Sequence, residues 1–171
     1  MVSTVPSFEQ QLSFIQYEMG TGDGGNVAGS FNNNPYMSVE QASRAFESQY
    51  ERPASGSTGT RIENSRRVFN AGGQGISPRA DAAYSYFRSQ GWSPAQASGI
   101  VGNLMAESGV QLNPNSRNPG DGTDGSDSIG IAQWNSSRAQ NLLNWDGSAV
   151  IPTQRFEDPT NNAGPGTVNG P

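Results

Sequence analysis

The chain contains no cysteine and no histidine among its 171 residues, and both absences restrict its chemistry. Without cysteine, neither a disulfide framework nor a thiol nucleophile is available. Without histidine, a Ser-His catalytic pair and most zinc sites are excluded. Acid–base chemistry near neutral pH would therefore depend on carboxylates, tyrosine or the basic side chains.

Apolar and basic residues are also scarce. Hydrophobic residues make up 32% of the sequence, and the 22 glycines and 11 prolines indicate that part of the chain is irregular. The net charge of −5 argues against nucleic acid as a partner. No run approaches the ~18 apolar residues of a membrane helix, so we expect no membrane association. The N-terminus lacks the apolar core of a signal peptide, which argues against export by that route.

Length and patterning predict one domain over 1–150, followed by an extended tail over 151–171. The segment 20–35 is rich in Gly and Asn and is predicted to be a loop, as is 113–127. The segment 128–134 alternates enough for a short strand or hairpin, so the expected fold class is mainly α with a short β-hairpin. Apolar spacing and capping signals place helices near 7–19, 38–50, 60–71, 77–90, 93–109 and 135–145.

Several of these helices have recognisable starts. Ser7, Ser38 and Ser93 are each followed three residues later by Gln, and Thr60 is followed by Glu63, which gives four predicted capping boxes. Such boxes satisfy backbone donors at the start of a helix, so they mark where each helix should begin.

Glu107 is the candidate catalytic residue. At about 100° per residue it lies beside Ile100 and Leu104, at the edge of an apolar helical stripe. Burial and the negative end of the helix dipole both favour the neutral carboxyl, so we expect a raised pKa. A solvent-exposed Glu near a helix end is the commoner reading of such spacing. However, Gly99 and Gly102 cost about 1 kcal/mol each in a helix, which indicates that another backbone packs closely there.

An ordered set of motifs surrounds this helix between 83 and 143. They are Gly91-Trp92-Ser93, Gly99-Ile100-Val101-Gly102-Asn103, Glu107-Ser108-Gly109, Ser128-Ile129-Gly130-Ile131-Ala132-Gln133-Trp134 and Arg138. Through these motifs the segment resembles the phage tail lysozyme family, within the wider superfamily of goose-type lysozymes and lytic transglycosylases. The resemblance implies a helical lysozyme-like fold, cleavage of the glycan strands of peptidoglycan, no cofactor, and Glu107 in the position of the catalytic acid.

The other pieces of that family pattern come before Glu107 in this chain rather than after it. They resemble the segments 11–18, 39–53 and 61–71, of which the second ends in Tyr-Glu-Arg-Pro. We therefore infer a circularly permuted domain, in which 7–71 resembles the family's C-terminal half and 76–145 its N-terminal half. The alternative is two fragments of separate copies, which would pair between chains by swapping.

The resemblance also predicts which residues bind substrate beside the acid. Gln133 is expected to line the sugar groove, and Trp134 either to stack on a sugar or to fill the core. Ser128 is expected to steady the strand or a carboxylate. The hydroxyl of Tyr50 is expected either to contact Glu107 or to pack in the core.

The acidic residues near these positions leave several possibilities open. Glu51, like Tyr50, is expected where the permuted domain would fold back over the cleft, or else to pair with Arg52 or Arg138. Asp121 or Asp127 could supply a second carboxylate, which an inverting hydrolase needs about 6.5–9.5 Å from the first. If neither is so placed, a lytic transglycosylase becomes the better reading. The Asp spacing in this loop departs from that of a calcium loop, so no metal is expected.

The sequence thus predicts a phage-type glycosidase that cleaves the β-1,4 bond between N-acetylmuramic acid and N-acetylglucosamine in bacterial peptidoglycan. Its expected location is the virion, in the tail or ejection apparatus, with the segment 151–171 tethering it to other virion proteins. Two alternatives remain: a virion structural or adaptor protein that has kept the fold without activity, and a sugar-binding module without turnover.

Overall fold

The computed structural model describes residues 5–53 and 56–145 and is mainly helical, with one small hairpin, as the sequence predicts. The predicted tail over 151–171 lies outside the described residues. The elements in chain order are α1 (Phe8–Met19), a 3-10 turn (Gly22–Gly24), α2 (Val27–Asn33), α3 (Val39–Phe46), a π-helical turn (Glu47–Glu51), α4 (Thr58–Asn70), α5 (Pro78–Ser89), α6 (Pro94–Ser108), β1 (Arg117–Asn118), β2 (Ser128–Ile129) and α7 (Ser136–Leu143).

Three of the four predicted capping boxes are present. Ser7, Ser38 and Ser93 each accept from the backbone N–H three residues on, and the Gln there bonds back to the Ser N–H. The fourth, at Thr60, is wrong because α4 begins at Thr58 and has Ser57 as its cap residue. The Ser57 hydroxyl makes no cap bond and instead accepts from a side chain further along α4.

The predicted loop over 20–35 contains a helix, so that prediction is wrong in part. Asn26 and the preceding Gly25 both have φ near +65°, which separates α2 from the 3-10 turn. Val27 and Phe31 then lie one helical turn apart and are both completely buried. Tertiary burial of these two side chains outweighs the weak helix propensity of the Gly- and Asn-rich segment.

Helix α6 lies at the centre of the molecule, and α3 and α4 pack directly against its backbone. A Cβ atom on Gly99 would lie 2.8 Å from the Ala42 Cβ of α3. A Cβ atom on Gly102 would lie 2.4 Å from the Ser65 backbone nitrogen of α4 and 2.6 Å from its Cα. The close approach that the two glycines predict is therefore confirmed, and it brings the N-terminal helices onto α6.

The hairpin predicted over 128–134 is present. Strands β1 and β2 are antiparallel, with Asn118 opposite Ser128. Ile129 and Trp134 exchange two backbone hydrogen bonds of 2.8 Å, which close a tight turn between them. This turn holds the Gln133 backbone at φ +56°, in the left-handed region. Within the described ranges, no helix is both long and apolar enough to cross a membrane.

We predict that Gly102→Ala destabilises the protein by about 2 kcal/mol. The new methyl group would overlap the α4 backbone, which costs up to about 3 kcal/mol, whereas the gain in helix propensity is about 1 kcal/mol. Urea unfolding followed by circular dichroism measures the change. Gly59→Ala is the matched control, since a Cβ there meets no atom within 4 Å, and it should not destabilise. Equal stability of Gly102→Ala and wild type would contradict the packing argument.

Candidate active site

Glu107 lies in the last turn of α6, one residue before the helix ends at Ser108. Its side chain is 19% exposed, while Ile100 and Leu104 on the same face are completely buried. The position at the edge of the buried stripe is therefore as the sequence predicts. The carboxyl group is neither in open solvent nor sealed in the core, so it can meet a ligand from one side.

A buried arginine that the sequence analysis did not identify holds this carboxyl group. Arg61, on α4 and only 3% exposed, donates from Nη2 to Glu107 Oε2. It also donates from Nη1 to Asn103 Oδ1 at 3.0 Å and from Nε to Ser57 Oγ at 2.7 Å. Its Nε lies 3.7 Å from Glu47 Oε2. The sequence predicts apolar and electronegative surroundings for Glu107. This prediction is wrong in one respect, because the guanidinium group of Arg61 faces the carboxyl.

A cleft of about 440 Å³ opens beside Glu107, and we call it the cleft throughout. It lies between the end of α6, the π-helical turn, the hairpin and the start of α7, so both halves of the chain contribute to its walls. Three of its lining residues carry carboxyl groups. The lining residues are Glu51, Arg52, Pro53, Glu107, Asp121, Thr123, Ala132, Gln133, Trp134, Asn135 and Arg138.

Glu51 supplies a carboxyl group to the cleft, at the position where the permuted arrangement predicts it. Its Oε2 atom is buried and has no hydrogen-bond partner. Burial, reinforced by the charge of Glu107, raises the pKa of Glu51 well above its ordinary value of 4.5, against the opposing charges of Arg61 and Arg138. The predicted ion pair with Arg52 or Arg138 is absent from the described residues, because Arg52 donates to a backbone carbonyl and Arg138 binds another carboxylate.

That other carboxylate is Glu18, which is 1% exposed and lies behind the cleft. Its Oε1 accepts from Tyr50 Oη at 2.7 Å, from Trp134 Nε1 at 2.9 Å and from Arg138 Nη2 at 2.8 Å. Its Oε2 accepts from Arg138 Nε at 3.1 Å. We call these four residues the Glu18 network, and all four are drawn from different elements of the fold.

The Glu18 network decides between the alternatives that the sequence left open for Tyr50 and for Trp134. Tyr50 is completely buried, and its hydroxyl contacts Glu18 instead of Glu107, because the π-helical turn directs the ring into the core. Burial, followed by the charge of Glu18, raises the pKa of this phenol well above 10.0. Trp134 is 2% exposed and packs edge-on against Phe14, so most of its ring fills the core.

Gln133 lines the cleft, but its amide group is already engaged within the hairpin region. Its Oε1 accepts from Asn118 Nδ2 at 2.7 Å. Its Nε2 donates to the carbonyl groups of Gly130 at 3.0 Å and Ser116 at 3.3 Å. The residue therefore holds the hairpin wall of the cleft in place while presenting one side to it.

Ser128 steadies a carboxylate, which is one of its two predicted roles. Its buried hydroxyl donates to Asp121 Oδ2 at 2.7 Å, and Asp121 lines the cleft. Asp127 does not line the cleft: it accepts from Gly120 N at 3.0 Å and from Arg117 Nε at 2.6 Å. These two donors lower its pKa, the backbone N–H most strongly. Of the two predicted second carboxylates, the structure therefore brings only Asp121 to the cleft.

No group of three acidic side chains within residues 5–53 and 56–145 is arranged to hold a metal ion. The cleft instead combines three carboxyl groups with the guanidinium groups of Arg52 and Arg138. Such a site can bind polar ligands and exchange protons.

The fold and the cleft define a helical domain with a carboxyl group at the end of its central helix, facing a hairpin. Residues 78–160 match the family model described as phage tail lysozyme, so this segment is similar to that family. The matched segment includes Glu107, both strands and α7, so the chain carries a lysozyme-like domain. No curated protein and no solved structure gives a match.

We predict that Glu18→Gln costs about 3–5 kcal/mol of unfolding free energy. The substitution leaves the partly buried Arg138 without its counter-charge, which is the expensive way to break an ion pair whose carboxylate is buried. Chemical denaturation measures the loss. Glu9→Gln, on the exposed face of the same helix, is the control and should change stability by less than about 0.5 kcal/mol. A Glu18→Gln variant as stable as the control would contradict this role.

Proposed function

We propose that this chain is a phage-type peptidoglycan glycosidase that cleaves the β-1,4 bond between N-acetylmuramic acid and N-acetylglucosamine. Glu107 serves as the general acid that protonates the leaving oxygen. One observation carries the proposal: in a chain whose residues 78–160 match the phage tail lysozyme family, Glu107 stands half-buried at the wall of a cleft. Bacterial peptidoglycan is accordingly the proposed substrate.

The residues around Glu107 are suited to fixing a proton donor. Arg61 and Asn103 form a buried, hydrogen-bonded support on one side of the carboxyl, which leaves its other side to the cleft. A positioned acid of this kind protonates the leaving oxygen as the bond breaks and positive charge develops on the sugar ring. The cleft carboxyls are well placed to stabilise that charge electrostatically.

The second half of the reaction depends on what attacks the sugar. Asp121, held by Ser128, is the candidate for orienting a water molecule, which would give hydrolysis. If the 6-hydroxyl of the muramic acid attacks instead, the product is an anhydro sugar and the enzyme is a lytic transglycosylase. In either case the attacking hydroxyl gives up a proton to the site, and no cofactor takes part.

We further propose that 1–150 forms one circularly permuted domain that closes within a single chain. The family match begins at 78, and α3 and α4 from the preceding half pack on the backbone of α6. That half also supplies Glu51 and Arg61 to the site. Residues 7–71 would then replace what the family carries after its catalytic segment, which exposed loops tolerate.

We predict that the purified chain is a monomer of 18.1 kDa in solution. Closure within one chain satisfies the contacts of α6 without a second copy, whereas swapping between copies requires at least a dimer. Size-exclusion chromatography with light scattering distinguishes the two. A stable dimer that keeps activity only as a dimer would favour the swapped arrangement.

The match of residues 78–160 to the phage tail lysozyme family also suggests where the enzyme acts. We propose that it belongs to the virion, in the tail or ejection apparatus, and opens the bacterial cell wall locally during infection. The segment 151–171 would tether it to other virion proteins.

We predict that Glu107→Gln abolishes release of glycan fragments, lowering the rate by at least about 10²-fold, because the amide cannot donate the proton. Mass spectrometry of digested peptidoglycan measures activity and identifies the bond cleaved, and it separates reducing ends from anhydro sugars. Glu63→Gln, on the exposed face of α4, is the matched control and should retain full activity. Circular dichroism verifies that both variants are folded.

Other outcomes would identify a different function. Equally poor clearing of cell walls by wild type and Glu107→Gln would favour a virion structural or adaptor protein. Retention on insoluble cell walls without release of any fragment would favour a sugar-binding module.

A further inference from the structure

Arg61 contacts two carboxyl groups, and only one of them lines the cleft. Its Nη2 atom donates to Glu107 Oε2, and its Nε atom lies 3.7 Å from Glu47 Oε2. The Arg61 side chain is 4% exposed, against 10% for Glu47 and 19% for Glu107. A guanidinium group buried to this extent depends on carboxylate partners, because a buried charge without a counter-charge is strongly disfavoured.

The surroundings of Glu47 favour its ionised form. Its Oε2 atom accepts a hydrogen bond of 2.9 Å from Thr58 Oγ1, in addition to its ion pair with Arg61. Its side chain lines a second cavity of about 600 Å³. Glu47 does not belong to the described residues that line the cleft, so any effect that it has on the acid must pass through Arg61.

The other charged groups near the acid do not replace Glu47 as the counter-charge of Arg61. Arg138 is paired with Glu18, and the buried Oε2 atom of Glu51 has no donor in the described part of the chain, which favours a neutral Glu51. The charged or titratable side chains that face the acid or its guanidinium partner are Glu47 and Glu51 of the π-helical turn, Arg52, Asp121 of the hairpin loop and Arg138 of α7.

The charge of Arg61 matters because a general acid has to carry a proton. If Arg61 faced Glu107 alone, its charge would hold Glu107 as a carboxylate, which cannot protonate a leaving oxygen. With an ionised Glu47 beside it, the guanidinium group is already balanced, and the three groups together are neutral when Glu107 carries its proton.

We propose that Glu47 is a positioning residue of the active site: acting through Arg61, its carboxylate balances the guanidinium charge and lets Glu107 keep the proton that it donates. This role rests on the proposed glycosidase function of Glu107. Arg61 thereby fixes the Oε2 atom of the acid without taking its proton away.

The first test is the pH dependence of glycan cleavage by Glu47→Gln. Without the Glu47 charge, Arg61 stabilises the Glu107 carboxylate, so the acid loses its proton at a lower pH. We predict that the basic limb of the kcat/KM profile moves down by about one pH unit, which is a loss of about tenfold on that limb. At pH values below the limb the rate should equal that of wild type, and KM should change by less than about threefold. Loss by one factor at every pH would indicate a merely structural role and overturn the proposal.

Glu40→Gln is the matched control for charge and packing. Glu40 of α3 pairs with Arg66 of α4, but these side chains are 36% and 56% exposed. The control therefore removes the same charge from an ion pair to the same helix, away from the acid, and should leave the profile unchanged. A shift as large as that of Glu47→Gln would overturn the proposal, because contact with Arg61 would then not be its cause.

Thr58 offers a second test that alters no charge and serves even if Glu47→Gln does not fold. Thr58→Val removes the hydroxyl that holds Glu47 Oε2, whereas Thr58→Ser retains a hydroxyl. The valine variant should move the basic limb in the same direction as Glu47→Gln, and further than the serine variant does. Identical profiles for the two Thr58 variants would overturn the proposal.

A measurement without substrate separates this proposal from the proposed function. Carbon NMR of the side-chain carboxyl groups follows the titration of Glu107, whose signal is assigned by its absence from Glu107→Gln. The midpoint of this titration should be lower in Glu47→Gln than in wild type and unchanged in Glu40→Gln. An unchanged midpoint in Glu47→Gln would overturn the proposal. If the midpoint moves but wild type cleaves no glycan, the glycosidase function fails, while the control of the Glu107 proton by Glu47 stands.

Discussion

The buried carboxylate of Glu18 is the interaction on which the arrangement of this molecule depends. It takes hydrogen bonds from the π-helical turn, the hairpin and α7, and it is itself part of α1. The Arg138 guanidinium also lies over the Tyr50 ring, with its central carbon 4.5 Å from the ring centre. Each of these buried donors would be costly to leave unpaired, so the hydrogen bonds to Glu18 fix the four elements relative to one another. The walls of the cleft in front of them are therefore held in place as well.

The N-terminal half forms part of the cleft, although the family match covers only 78–160. It contributes Arg61, which holds Glu107, and Glu51, which faces the cleft. The close contact between α4 and α6 makes this possible, since Gly102 lets the two backbones approach without a side chain between them. Gly102 lowers the helix propensity of α6, but the close approach of α4 that it permits places Arg61 beside Glu107.

Local signals in the sequence were sufficient for most of the fold and for the position of Glu107. Three Ser-Gln caps, the apolar spacing of α6 and the alternation at the hairpin all act over a few residues, so they can be read directly. The partners of the acid could not be predicted in this way. Arg61 lies 46 positions from Glu107, and Glu18 lies 120 positions from Arg138, so only the folded chain brings them together. Helix α2 was missed because its burial, and not its composition, makes it helical.

The π-helical turn over 47–51 has a consequence for how this chain can change in length. Its wide hydrogen bond, from Arg52 N to Glu47 O at 2.7 Å, accommodates one more residue than an α-helical turn would. The adjacent side chains of Tyr50 and Glu51 thereby serve the buried core and the open cleft respectively. A one-residue deletion here would rotate the side chains beyond it by about 100° about the helix axis. Tyr50 would then no longer point into the core, and Glu51 would no longer point into the cleft. Insertions and deletions should consequently be tolerated far less at this point than in the polar loops.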